Sequence, residues 1–518
     1  MSSIKKTAII ITIITLISKI LGFGREIVLA YFYGTSYIVD AYIMAITIPT
    51  IIFGWLSTMA ISYTPIYTEI HINDGYKKSI SFSNNMISIV LIFSLISIVI
   101  CFLLNNKLVS MLAPGFQGET FNLTSNFLNI SIFSLVFSSI LQIFTAYLNC
   151  NNKFIESSFS MLFFSSTQII FIIVSGTINL GFLIYGYLMA TIMQFIYVYI
   201  FSYKVGYRFK FDVKITEEIK KSFRLVVPIF ISNALIQINS FVDKSFASSL
   251  AVGSISALNY ANILRIFIYT IFTISITTLI YPLLSKYIAE RDMSSVKEIF
   301  SKSINLIIIL FVPITLGIIL LATPAIEFVY QRGEFSSSST LLTSSAFIMY
   351  SIGLLPLAFT EVITKVFYSM QDTKSVMYIS TINVILNVLL NIIFIKPLKH
   401  SGLALATSLS SMITLPVLFF ILRKKIGPLG FKNSAILLIK SFISTVVMGA
   451  IVYFVYKYLS IILDYGKLGI LLSLSISVLV GGIVYFVIMI ILKVKEIDFF
   501  IDIIHSIFKF LKHNILKK

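Results

Sequence analysis

The sequence predicts an all-α polytopic membrane protein of about fourteen transmembrane helices, built as two pseudo-symmetric six-helix lobes followed by two C-terminal helices. Three observations predict it. Of 518 residues, 58% are hydrophobic and 12% charged, whereas soluble domains are roughly 25% charged. Apolar runs of about twenty residues recur from end to end, the length that crosses some 30 Å of hydrocarbon. The basic residues cluster in short stretches between those runs, the pattern of cytoplasmic loops.

Segments long enough to span fall at 8–33, 37–66, 80–104, 121–149, 158–176 and 179–203, then at 223–249, 254–285, 300–321, 338–369, 376–396 and 400–422, and finally at 434–458 and 467–492. The first follows Lys5 and Lys6 as a signal peptide would. No small-residue cleavage site succeeds it and Lys19 and Arg25 interrupt it, so it is expected to stay as a helix. The basic stretch from Lys204 to Arg224 divides the first six segments from the next six. The expected domains are 1–222, 223–432, a helix pair over 433–492, and a tail over 493–518.

A shift of 217 residues lays Ala30 on Ala247 and Pro65 on Pro282. Parallel halves with a substrate between them are a transporter architecture; chance similarity of apolar segments is the alternative. Pro49, Pro228 and Pro356 are expected to bend or loosen their helices, unless the membrane helices simply tolerate them. In the tail, Lys495, Asp498, Asp502, His505, Lys509 and Lys512 recur at helical spacing. That suits an amphipathic helix on the inner surface or a solvated tail.

The even number of spans puts both termini on one side. That side collects 27 Lys and Arg against 6 on the other, so both termini are expected in the cytoplasm.

The net charge of +18 would suit nucleic acid, but its distribution between apolar runs argues for no nucleic-acid partner. Cys101 and Cys150 have no CxxC spacing and support neither a disulfide nor zinc. No ATP-binding motif is visible, which leaves an ion gradient or the membrane potential as energy source. A membrane glycosyltransferase needs carboxylates or a metal in a sizeable outer loop. The longest outer loops, near 105–120 and 322–337, hold as acids only Glu119, Glu327 and Glu334, and a transporter is expected, not an enzyme.

Charges inside the spans carry the functional reading. Each costs about 2.5–3.5 kcal/mol at mid-bilayer even on the lenient scale, and so faces a cavity or a partner. Six cations fall within the spans, Lys19, Arg25, Lys244, Arg265, Lys365 and Lys440, of which the first five need such an account; the acids are Glu26, Asp40, Asp243 and Glu361. Glu361 precedes Lys365 by four positions, the favourable order for a structural ion pair. Arg25 with Glu26, and Asp243 with Lys244, are sequence neighbours expected to project apart and leave their charges unneutralised. Gly22 and Gly24 would permit a break in the helix beside Arg25. His71, His400, His505 and His513 fall in expected loops or the tail, so a proton relay is disfavoured. Lys19, Arg25, Lys244 and Arg265 would then line a cationic cavity for an anionic substrate, with arginine favoured for phosphate. Snorkelling or structural pairing is the alternative for each.

The motifs run in a fixed order: SKILGFGRE (18–26), FYGTSYIVDAY (32–42), APGF (113–116), QINSFVDKSFASSL (237–250), SALNYA (256–261), QRGEF (331–335), FYSMQDTK (367–374), NVILN (383–387) and SGLALATSLSS (401–411). Over residues 10–430 this order resembles the MurJ/MviN lipid II flippases of the multidrug/oligosaccharidyl-lipid/polysaccharide exporter superfamily. The resemblance implies a flippase carrying an undecaprenyl-diphosphate-linked saccharide, lipid II, from the inner to the outer leaflet, with membrane lipids around it and helices 13 and 14 offering the lipid tail a groove. Arg25 matches the family's first-helix arginine and Asp40 its helix 2 aspartate. Lys19 stands where arginine is usual, the twin arginines after the helix 2 proline are absent from IPTIIFGW (48–55), and Arg265 lies two positions beyond the family's helix 8 arginine, which would fall at Ile263. These departures leave another polyprenyl-linked saccharide open as substrate. No cofactor is implied beyond sodium as a coupling ion. Relatives that bind it do so between helices 7, 11 and 12, where this chain has Asp243, Asn383, Asn387 and Thr407, with Asn387 where a carboxylate can occur.

Overall fold

A computed structural model of the chain describes residues 2–430, 432–463 and 466–497. In order, the helices are α1 (Ser2–Tyr33), α2 (Tyr37–Phe53), α3 (Trp55–Asn73), α4 (Tyr76–Leu112), α5 (Gly118–Ser131), α6 (Ser134–Cys150), α7 (Phe154–Thr177) and α8 (Phe182–Lys204). Then follow α9 (Glu217–Ser248), α10 (Ser254–Ala289), α11 (Met293–Tyr330), α12 (Ser337–Ser351), α13 (Leu354–Ser369), α14 (Thr373–Ile426), α15 (Lys432–Ile462) and α16 (Gly466–Ile491). Among the described residues there is no strand.

Each of the fourteen expected segments coincides with one helix or one bent pair, and α14 holds two. Eight helices are long and apolar enough to span, and the bent pairs α2–α3, α5–α6 and α12–α13 bring the number to eleven. α14 counts once among these, and α1 and α9 are not included. The tail beyond Ile497, with the expected amphipathic pattern from Asp498 on, lies outside the described residues.

The bends have local causes. α2 and α3 meet at 49°, with Pro49 inside α2. Proline has no N–H to offer the carbonyl four residues back. That carbonyl, Ala45 O, instead accepts from Ser131 Oγ at 2.7 Å, so the freed acceptor becomes an interhelical tie. α12 and α13 meet at 46°, and Pro356 sits in the first turn of α13, where a missing N–H costs nothing. α5 and α6 meet at 42° without a proline. Pro228 falls within α9.

α14 reverses on itself. Lys399 takes a left-handed φ of 51°, and Lys425 reaches back to Asp372 at 2.5 Å, which joins the two ends. Along the hairpin, Asn387 Nδ2 donates to Thr407 Oγ1 and Asn383 Nδ2 to Thr414 Oγ1, both at 3.2 Å. His400, at the turn, meets Leu342 O at 2.9 Å, and His71 falls in the last turn of α3. Neither lies in a free loop, as the sequence had implied.

The chain divides into two compact units. The first comprises Met1–Ile263, Tyr330–Leu342 and Asn391–Leu403; the second comprises Leu264–Val329, Thr343–Leu390 and Ala404–Lys518. The first centres on aromatics of α3, α6 and the residues after α8, among them Tyr63, Tyr67, Phe144, Tyr147 and Tyr207. The second centres on Phe300, Phe311, Val362, Phe367, Leu418 and Met489. In both, the distribution inverts that of a soluble protein. Ser88, Ser94, Ser441, Ser444, Ser473 and Ser477 are buried, while Leu103, Phe442, Phe454, Leu479 and Ile491 are exposed. Small hydroxyls let helices approach where lipid supplies the apolar solvent.

Glycines mark the closest approaches. A Cβ on Gly186 of α8 would land on the side chain of Phe171 in α7. Gly186→Val should therefore lower the thermal midpoint of the detergent-purified protein, the overpacking costing about 1–3 kcal/mol. An unchanged midpoint would mean that α7 and α8 move apart, since the nearest atom is the Phe171 Cβ, which no rotamer change displaces.

Candidate functional site

The site begins at Arg25 on α1. Its Nε donates to Glu26 Oε1 at 3.0 Å, Nη2 closes a second bond to the same oxygen, and Nη1 donates to Gln168 Oε1 of α7 at 2.7 Å. Gln168 Nε2 continues to Tyr42 OH of α2 at 3.2 Å. The other carboxylate oxygen of Glu26 accepts from Asn259 Nδ2 of α10 at 3.4 Å. The expectation that Arg25 and Glu26 project apart is therefore corrected. A guanidinium presents its donors in a planar fork on a long stem, and here it folds back onto the next residue. Gln168, 2% exposed, is itself deep in the helix packing.

Lys244 of α9 donates to Thr47 Oγ1 of α2 at 3.0 Å. Asp243 turns the other way and accepts from Asn391 Nδ2 at 2.7 Å, so this second neighbouring doublet does separate. α1 runs unbroken past Gly22 and Gly24. The expected break is absent; instead a Cβ at either position would meet nothing within 4 Å. The two glycines leave room beside Arg25.

Asp40 has a different task. Buried on α2, it accepts from the backbone N–H of Gly253 at 2.7 Å and of Ser256 at 2.8 Å. These amides belong to the first turn of α10, where four N–H groups lack helical partners and the dipole favours an anion. Around this cap the signature segments interlock. Gly253 lies against Thr35 O, Gly34 against Glu334 O and Gly115 against Ser248 O, each too close for a Cβ. Glu334 N donates to Tyr31 O at 2.9 Å, Tyr260 OH to Gly34 O at 3.1 Å, and Thr35 and Ser339 share a hydroxyl contact at 2.7 Å. The stretches 32–36, 113–116, 247–254 and 331–335 form one latch within the first unit.

Lys19 is exposed on α1. Arg265 belongs to the second unit, with its guanidinium over the Tyr350 ring at 4.6 Å. Lys365 pairs with Glu361 at 3.0 Å, the helix pair its spacing implied. Of the candidate sodium donors, Asp243 lies in the first unit, and Asn383, Asn387 and Thr407 lie in the second, where their amides bridge the α14 hairpin. Sequence reasoning missed Gln168, Tyr42, Asn259 and Thr47. The available signal was a glutamine within an apolar run, SSTQII (165–170), which a search restricted to charges passes over.

A family model described as Lipid II flippase MurJ matches residues 29–463. The probable lipid II flippase MurJ of Rickettsia prowazekii is 28% identical over 424 residues, 80% of this chain and 83% of that protein. That of Vibrio cholerae is 30% identical over 431 residues, 80% and 82% of the two chains. Among solved structures, a lipid II flippase MurJ in an inward closed conformation superposes with a TM-score of 0.80 at 25% identity, covering 96% of this chain and all of that one. An inward-facing multidrug resistance MATE transporter gives 0.60 at 14% identity over 82% of this chain and 99% of its own, a likeness of fold alone.

The Arg25–Glu26 pair has a measurable signature. Glu26→Ala leaves a partly buried guanidinium without its counter-ion and should cost about 1–3 kcal/mol, whereas the double variant Arg25→Met/Glu26→Met should recover most of it. Thermal unfolding of both variants checks this; equal destabilisation of the two would mean the pair is not coupled.

Proposed function

The chain belongs to the lipid II flippase MurJ family, and on that premise we propose that it carries lipid II, an undecaprenyl-diphosphate-linked peptidoglycan precursor, from the inner to the outer leaflet by alternating access. It is a multi-pass membrane transporter. The observation that carries the substrate reading is the intramembrane Arg25, held by Glu26 and Gln168, with Lys244 bonded to Thr47 of the same α2 that supplies Tyr42 to Gln168.

The chemistry follows from exchange of anions. At rest Glu26 and the Gln168 amide occupy the guanidinium fork. An arriving diphosphate offers more negative charge and a set of acceptor oxygens that suit arginine bidentately. It displaces Glu26 from Arg25, and Lys244 adds a second charge. The space beside Gly22 and Gly24 supports entry of a group at this point. The polyprenyl tail stays in lipid, so that only the polar head needs shelter from hydrocarbon. Lys19, exposed on the same helix as Arg25, is proposed as an outlying cation that meets the head during entry. Asp40 is a positioning residue: it holds the latch shut at the expected outer end while the site is open inward. The two six-helix halves rock as this latch forms and breaks, with both termini in the cytoplasm.

Sodium as coupling ion is the finer part of the proposal. Asp243, Asn383, Asn387 and Thr407 supply hard oxygen donors of the kind such an ion takes. Asn383 and Asn387 each donate through nitrogen along the hairpin, which directs their carbonyl oxygens elsewhere.

Arg25→Ala should cut precursor appearance in the outer leaflet roughly ten- to hundredfold, the worth of a charge-assisted hydrogen bond at about 1.5–3 kcal/mol, with Arg25→Lys between. A leaflet-accessibility assay for lipid II after depletion of the wild-type protein checks it, and unaffected translocation in Arg25→Ala would remove Arg25 from the site. Purified protein that prefers another polyprenyl-diphosphate saccharide would move the substrate. Asp40→Ala should raise the thiol reactivity of a cysteine placed at Ser256 in a cysteine-free background, since Ser256 is fully buried. Replacing sodium by choline should slow translocation in the wild type and leave Asp243→Asn unaffected by the exchange.

A further inference from the structure

Between α8 and α9 the chain runs without regular secondary structure over residues 207–216, yet its backbone is pinned. Asn84, Asn85 and Ser88, buried on α4, serve as the edge that a strand would otherwise provide. Asn84 Nδ2 donates to Arg208 O at 3.2 Å and Asn85 Nδ2 to Lys214 O at 2.5 Å. Lys214 N returns to Asn85 Oδ1 at 3.0 Å, Asp212 N donates to Ser88 Oγ at 3.1 Å, and Tyr207 OH to Asn84 Oδ1 at 2.5 Å. Fixing an extended segment fixes which way alternate side chains point.

What it presents is amphipathic. Phe209, Phe211, Val213 and Ile215 are exposed, Ile215 by 77%, and they alternate with Arg208, Lys210, Asp212 and Lys214. From 204 to 224 there are seven basic residues against three acidic. Four exposed apolar side chains on a connector would be a liability in water; at a bilayer surface they are an anchor. Beside them lies a cleft of about 510 Å³ whose walls include Phe93 of α4, Val213 and Ile215 of the connector and Phe223 of α9, with Lys220 and Arg224 as its charged members. That volume falls within the roughly 300–1,000 Å³ of small-ligand sites. Trp55, the single tryptophan of the chain, packs edge-on against Phe93 at 5.3 Å, and tryptophan favours the level of the headgroups. Lys220 is tied to Glu217 at 2.7 Å on an exposed face, a pair that an anion of higher charge density can open.

We propose that this cleft binds one anionic glycerophospholipid, its acyl chain against Phe93, Val213, Ile215 and Phe223 and its phosphate between Lys220 and Arg224, with the connector seated in the interface as an anchor. Apolar walls with charge confined to two basic side chains match a lipid and not a soluble phosphate compound. A basic cluster next to a span is also where anionic headgroups accumulate. The proposal is independent of the transport reading, since none of these residues belongs to the Arg25 cluster or the latch.

The test uses the full-length protein, purified in detergent and examined by native mass spectrometry with phosphatidylglycerol or phosphatidylcholine of the same chain length. The wild type should retain one phosphatidylglycerol at concentrations where phosphatidylcholine does not bind. Lys220→Gln/Arg224→Gln should weaken retention about tenfold, and the control Lys286→Gln/Lys302→Gln should not. Ile92 of α4 also lines the cleft, and Ile92→Trp, which fills it without touching charge, should weaken retention as well. Equal retention of the two lipids, full retention by either cleft variant, or equal loss in the control would overturn the proposal. So would stoichiometric displacement by a polyprenyl diphosphate, which would make the cleft part of the substrate path.

Discussion

A guanidinium inside a bilayer must be answered, and the way Arg25 is answered organises the first unit. Its own helix supplies the carboxylate, α7 supplies the amide of Gln168, α2 supplies Tyr42 behind that amide, and α10 supplies Asn259 to the far side of the carboxylate. One charge thereby orients four helices. In hydrocarbon the alternative for each of these polar groups is no partner at all, so the network is held by the cost of breaking it more than by the strength of any single bond.

The short signature segments gain their meaning from contact. FYGTS, APGF, the end of α9 and QRGEF lie far apart along the chain, and no one of them implies a structure. In the fold they touch through glycines that no side chain could replace, around the two backbone bonds that Asp40 accepts. Gly34, Gly253 and Gly333 also take left-handed φ, where a Cβ is strained. Backbone packed directly on backbone has no intermediate settings, so a latch made this way is shut or open. That suits a carrier which must never expose its site to both faces.

Much of the helix layout was legible, because a span is defined by composition over twenty residues and the bilayer averages over detail. What was not legible depended on single atoms. The boundary between the expected spans 376–396 and 400–422 falls where the chain reverses, but the backbone setting of Lys399 that makes the turn was not visible. The bend at Ile132 has no proline to announce it, and the use of Ala45 O by Ser131 follows from Pro49 only once the facing helix is known. At the site, the sequence marked the charged residues because charge in an apolar run is conspicuous. It misjudged the Arg25–Glu26 doublet because helical geometry separates neighbouring Cβ atoms but does not limit the reach of a long side chain. Gln168 was invisible for the opposite reason: an uncharged amide costs too little to attract notice, although it takes the donor that Glu26 leaves.

The placement of Glu26 bears on how such a carrier resets. An alternating-access cycle returns empty, and a bare guanidinium would resist that step, since an uncompensated charge at mid-bilayer costs about 2.5–3.5 kcal/mol or more. A carboxylate on the adjacent residue travels with the arginine through every rearrangement of the helices, which a partner on another helix would not. It therefore neutralises the cation whenever the site is empty. On the proposed reading of Arg25 as the diphosphate's partner, the same carboxylate has to yield to substrate. It offers Arg25 a single oxygen, Oε1, where a diphosphate offers several, and its second oxygen is already drawn towards Asn259. Under the proposed exchange, a counter-ion on the adjacent residue, held through one oxygen, stabilises the empty cycle and gives way to substrate, and those two demands together account for a glutamate next to the arginine better than either does alone.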